Sequence, residues 1–113
     1  MSKYDDLISV GLNKELDHME DLPSIKTMIH KPMKEKEKVL EYMKNAEHIG
    51  YMPGIARDVF HPEIWTTDLS LMSDGKYQWR SDIIYYVEKY DMELPEEFVE
   101  HALRQMKKAE NNG

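Results

Sequence analysis

The sequence predicts an α+β domain that is mostly helical, with N-terminal helices, a central antiparallel β-hairpin and two C-terminal helices. Three observations carry that prediction. Val39, Tyr42, Met43, Ala46 and Ile49 fall at i, i+3, i+4, i+7 and i+10, the stripe of an amphipathic helix. The stretch from Leu69 to Trp79 alternates on both sides of Ser73-Asp74-Gly75, the pattern of a hairpin. After it, Ser81 to Tyr90 and Leu94 to Met106 carry helix start signals and apolar faces. An all-α bundle with one small hairpin is the alternative architecture.

Taken in order, Tyr4, Leu7, Ile8, Leu12, Leu16 and Met19 recur at near-helical spacing and predict a first helix, weakened by Gly11 and ended by Leu22-Pro23. A short helical turn follows through Ile25, Met28 and Ile29. Pro32 suits the opening turn of the second helix and Gly50 its C′ position. Lys34 to Lys38 alternates Lys and Glu, as a solvated helix face does. The β-branched and aromatic run Ile64–Thr67 is a candidate third strand. For the hairpin, a three-residue loop with Gly75 left-handed places Leu69, Leu71, Tyr77 and Trp79 on one face, so that register is expected. Ser81 reads as an N-cap with Asp82 in the first turn, opening a helix that is apolar over much of its circumference. Pro95, Glu96 and Glu97 open the last helix, whose buried stripe is Phe98, Val99, Ala102, Leu103 and Met106.

A chain of 113 residues is one domain's worth. Residues 1–110 are expected to form it, with a tail at 111–113 that frays. There is no cysteine, which excludes disulfides, thiol catalysis and Cys-type zinc sites. Fifteen Lys and Arg stand against twenty-two Asp and Glu, for a formal net charge of −7. That balance opposes nucleic-acid binding, which needs a basic footprint. No apolar run approaches the ~20 residues that span a bilayer. The acidic N-terminus lacks the charge and apolar pattern of a signal peptide, so a cytoplasmic location is expected.

The run from Tyr77 through Trp79, Ser81, Tyr85, Tyr86 and Tyr90, followed by Leu94-Pro95-Glu96-Glu97-Phe98, resembles a pattern in small uncharacterised proteins of Firmicutes bacteria that carry no established activity. The resemblance spans about residues 50–103. It implies that the hairpin and the two helices after it form one unit, and it implies no catalytic residue.

Candidate chemistry is sparse. Asp58, His61 and Glu63 share one turn, and their side-chain types suit zinc, manganese or iron. The same residues also suit a plain exposed Asx turn. His18, His30, His48 and His101 show no metal-binding spacing, and the five glycines form no phosphate loop. No cofactor is expected. These absences point to a non-catalytic interaction protein of the accessory, inhibitor or immunity kind, with a small metal- or ligand-dependent enzyme centred on His61 as the alternative. The surface expected to meet a protein partner with a basic face combines Glu93, Glu96, Glu97 and Glu100 with Tyr85.

Overall fold

The computed structural model describes residues 6–112. The elements run β1 (Ile8–Ser9), α1 (Lys14–Asp17), a 3-10 turn (Ile25–Thr27), α2 (Lys36–Lys44), β2 (Glu47–Arg57), β3 (Trp65–Ser73), β4 (Tyr77–Arg80), α3 (Ser81–Tyr90) and α4 (Glu96–Asn112). The four strands form one mixed sheet in the order β1-β4-β3-β2. β1 lies parallel to β4, and the other two pairings are antiparallel. The fold is α+β, but it is not a mostly helical chain around a lone antiparallel hairpin. The sheet is the organising layer. Among the described residues no helix is long and apolar enough to cross a membrane.

The first correction falls at the N-terminus. The spacing of Leu7, Ile8, Leu12, Leu16 and Met19 predicts a helix, yet only Lys14–Asp17 is helical; Tyr4 lies outside the described residues. Gly11 takes φ +79°, which stops a helix there. Ahead of it the chain is extended, with Ile8 N–H donating to Lys76 O and Val10 N–H to Gln78 O. Asn13 then restarts the chain as a cap, its Oδ1 accepting from Leu16 N–H at 2.9 Å.

The second correction concerns α2. Pro32 and Gly50 lie outside it, because the helix runs only from Lys36 to Lys44. Ile49 and Gly50 belong to β2, an eleven-residue strand where the sequence suggested a helix end and a loop. Ile64–Thr67 makes no separate strand; Trp65 to Thr67 begin β3.

The third correction is the hairpin register. Met72 stands opposite Trp79, and Leu71 opposite Arg80. Leu71 and Trp79 therefore point to opposite faces. Two features select this register. Asp74 closes the turn on Tyr77: its Oδ1 accepts from Lys76 N–H at 2.9 Å and Tyr77 N–H at 2.7 Å. The second face of β3 is also partly covered, since Leu71 is half-buried and borders a recess lined by Val10, Gly11, Met52 and Arg80. Grouping the four large apolar residues on one face requires a sheet covered on one side only. Gly75 does take positive φ, +98°.

Helices α2, α3 and α4 cover the other face. Trp79, Met72 and Tyr77 point into them, and the Phe98 ring sits 5.3 Å from Trp79 and 5.1 Å from Tyr77. Ser81 is the first residue of α3 rather than its cap, Arg80 holding the cap position. The Ser81 hydroxyl instead accepts from Ser70 N–H and donates to Asp68 O, both at 3.0 Å, and so ties α3 to β3. Phe98 and Ala102 of α4 are buried, with Val99 and Leu103 packed beside them. The helix continues to Asn112, through two of the three residues expected to fray.

Gly11 and Gly75 differ in one testable way. A Cβ on Gly75 meets nothing within 4 Å, whereas one on Gly11 lies 3.1–3.3 Å from three side-chain atoms of Ile83. Gly75→Ala is expected to cost about 1 kcal/mol through backbone strain alone. Gly11→Ala adds crowding and is expected to cost about 2 kcal/mol or more. Urea denaturation checks the order, and the two midpoints falling in the reverse order contradicts it.

Candidate functional site

The turn singled out by the sequence is built around Asp58, which is fully buried. Its Oδ1 accepts the N–H groups of Phe60 at 2.8 Å and His61 at 3.1 Å, an Asx turn. Its Oδ2 accepts the hydroxyls of Tyr85 at 2.6 Å and Tyr90 at 2.5 Å. Lys89 Nζ stands 3.6 Å from the same oxygen and 2.9 Å from Tyr85 Oη, above both tyrosine rings. Tyr86 Oη completes the tie, accepting from Val59 N–H at 2.9 Å. Three tyrosines of α3, Tyr85, Tyr86 and Tyr90, thus hold the β2–β3 connection.

Burial works to raise the Asp58 carboxyl, but the two tyrosine hydroxyls and the two N–H groups outweigh it and hold the group below the ordinary carboxylate range. In return, burial and the bond to Asp58 push Tyr85 and Tyr90 up to about 12. The Asp58 carboxylate therefore has its lone pairs committed inward. His61 is exposed, with Glu63 beside it, Nδ1 to Oε1 at 3.6 Å. The structure does not bring Asp58, His61 and Glu63 together as a ligand set. Among the described residues no three His, Cys, Asp or Glu side chains gather in metal-binding geometry.

A cleft of about 280 Å³ opens beside this cluster, between β3, α3 and the start of β2. Tyr85, Ser81, Thr66, His48 and the Lys44–Glu88 ion pair line it. His48 Nδ1 lies 2.7 Å from Ser70 Oγ, and Thr66 Oγ1 is enclosed with no hydrogen-bond partner among the described residues. Register places Tyr51 opposite Ser70 and Ile55 opposite Asp68, on the same face of the sheet as the cleft. Tyr51 is 90% exposed and Ile55 56%. Sequence spacing could not show this grouping, because the partners lie on separate strands about twenty residues apart.

A second carboxylate is held in the same way. Asp74 Oδ2 accepts the hydroxyl of Tyr42 at 2.5 Å and lies 3.1 Å from His101 Nε2, joining α2 and α4 to the hairpin turn. Burial works to raise Asp74, and Tyr42 with the turn N–H groups brings it below the ordinary range. Of the expected partner-binding residues, Tyr85 lines the 280 Å³ cleft, half-buried and bonded to Asp58, while Glu93, Glu96, Glu97 and Glu100 are exposed and do not line it. No family model, curated protein or solved structure matches the chain.

Adjacent residues of the Asp58 turn should behave differently. Asp58→Asn is expected to cost about 2–4 kcal/mol, by weakening several charge-assisted bonds at once. His61→Ala is expected to change stability by less than about 0.5 kcal/mol. The lowered Asp58 group contributes stability above its ordinary value near 4 that is lost as pH falls through its folded value. Tyr85 and Tyr90 contribute stability below about pH 10 that is lost as pH rises toward 12. Denaturation across pH should show both losses shrinking in Asp58→Asn; identical pH profiles for the two proteins contradict the assignment.

Proposed function

We propose that the chain is a small acidic interaction protein, of the accessory, inhibitor or immunity kind, that binds another protein at the face formed by β2 and α3. The observation that carries this reading is the exposure of Tyr51 and Ile55 beside a polar cleft. Neither side chain packs into the core, and a polar residue at either position would serve the fold as well. Aromatic and aliphatic anchors around a partly desolvated recess are what binding hot spots use.

The edge itself supports side-chain recognition over strand addition. β2 is the outermost strand and carries Pro53-Gly54 and three register irregularities. Bulges and proline on an edge strand keep a further strand from pairing with it. The partner then meets Tyr51, Ile55 and the hydroxyls of the cleft. The net charge of −7, with Glu93, Glu96, Glu97 and Glu100 exposed, favours a partner with a basic surface through complementary steering.

A photo-crosslinking residue at position 51 or 55, expressed in the native host, tests this. One discrete protein adduct is expected at both positions and none at Lys108 on α4. Tyr51→Ser should abolish the adduct formed from position 55 while shifting stability by less than about 0.5 kcal/mol. No adduct at either position, or equal adducts at Lys108, overturns the reading.

A further inference from the structure

We propose that Tyr42, Asp74 and His101 form a facial binding site for a hard, Lewis-acidic metal ion, with ferric iron as the representative ion. The site is independent of the β2–α3 face. Three donor atoms from three different elements converge there. Tyr42 Oη lies 2.5 Å from Asp74 Oδ2, His101 Nε2 lies 3.1 Å from the same oxygen, and Tyr42 Oη lies 3.5 Å from His101 Nε2. Oxygen and nitrogen donors bound to one ion at about 2.0–2.2 Å stand roughly 3 Å apart. Small side-chain adjustments therefore bring all three onto one ion.

The surroundings suit that role. Asp74 divides its labour: Oδ1 alone closes the hairpin turn through Lys76 and Tyr77 N–H, which leaves Oδ2 to the cluster and fixes its direction. The His101 ring is held against Tyr77, with centroids 5.1 Å apart. Tyr42 and Asp74 line an open cleft of about 480 Å³, with room for waters or an anion to complete the coordination. That cleft is lined by two carboxylate residues, Asp74 and Glu47, and by no Lys or Arg. Carboxylate and phenolate oxygens with one imidazole are the donors that hard ions select.

Proton balance follows from the same contacts. In the metal-free state Tyr42 Oη–H donates to Asp74, and burial together with that carboxylate holds the phenol well above its ordinary range. The ion takes the place of that proton, which leaves to solvent. His101 offers Nε2, the ring atom that faces Asp74 Oδ2 at 3.1 Å. A purely structural cluster, in which the three groups only pin α2 and α4 to the hairpin, predicts no bound ion.

The test adds ferric nitrilotriacetate to the metal-free protein and records visible absorption. A phenolate-to-iron charge-transfer band saturating at one equivalent is expected. Tyr42→Phe should remove it, and His101→Gln should weaken binding by about tenfold or more. Circular dichroism confirms that each variant is folded; should one fail to fold, the presence and one-equivalent saturation of the wild-type band still decide. No band at tenfold excess, a band that does not saturate at one equivalent, or a band that persists in folded Tyr42→Phe overturns the proposal.

Discussion

The structure depends on one buried carboxylate. Asp58 sits at the end of β2 with no exposure to water, and a bare carboxylate there would be costly. It is tolerated because four hydrogen bonds reach it, two from its own turn and two from tyrosines on α3. Those bonds set the path of the chain. They fold residues 58–64 back on themselves, so that β3 can return antiparallel to β2, and they dock the connection on α3. Phe60 closes the arrangement, its ring 4.9 Å from that of Tyr90. The edge strand, its exposed Tyr51 and Ile55, and the cleft beside Tyr85 take their positions from this anchor.

The same device recurs at the far end of the sheet, where Asp74 couples a turn to hydroxyl and imidazole donors from two helices. Glu15 does it on a smaller scale, accepting from Ser24 Oγ and Ile25 N–H. This small domain without disulfides thus fixes two of its connections by giving Asp58 and Asp74 each one backbone task and one long-range task. Neutral hydroxyl donors suit this, since they satisfy a buried carboxylate without desolvating a second charge, and the Lys89 ammonium near Asp58 keeps 41% of its side chain exposed.

How much of this was legible in the sequence varies with how local the signals are. α3 and α4 were readable, because Pro95, the acidic first turn and the Phe98–Ala102 stripe agree within one helix. β2 was hidden. Gly50, Pro53 and Gly54 lie inside it, and its bulges break the period-two pattern that identifies a strand. The first helix was misread because Leu7, Ile8, Leu12 and Leu16 fit a helical stripe while Gly11 at positive φ forbids one. The hairpin register failed for a related reason: both faces of β3 meet protein, so alternation alone did not select Met72 over Leu71. At the site, Asp58 and His61 stood out as a motif, yet the partners that define Asp58 are Tyr85 and Tyr90, 27 and 32 residues away. No spacing rule reaches across that distance. Tyr85 lines the cleft but spends its hydroxyl on Asp58, which the expectation of an outward-facing aromatic did not foresee.

The central claim is that Asp58 anchors the β2–β3 connection as firmly as the core. Native-state hydrogen exchange at the Phe60 and His61 amides tests it most directly. Both donate to Asp58 Oδ1 in a connecting segment, where exposed loop amides ordinarily exchange through local opening. The account predicts that the two amides exchange only through near-global unfolding, with protection close to that of the buried α3 amides, and that Tyr85→Phe with Tyr90→Phe releases them while α3 stays protected. Fast exchange of Phe60 and His61 in the unmodified protein would contradict it.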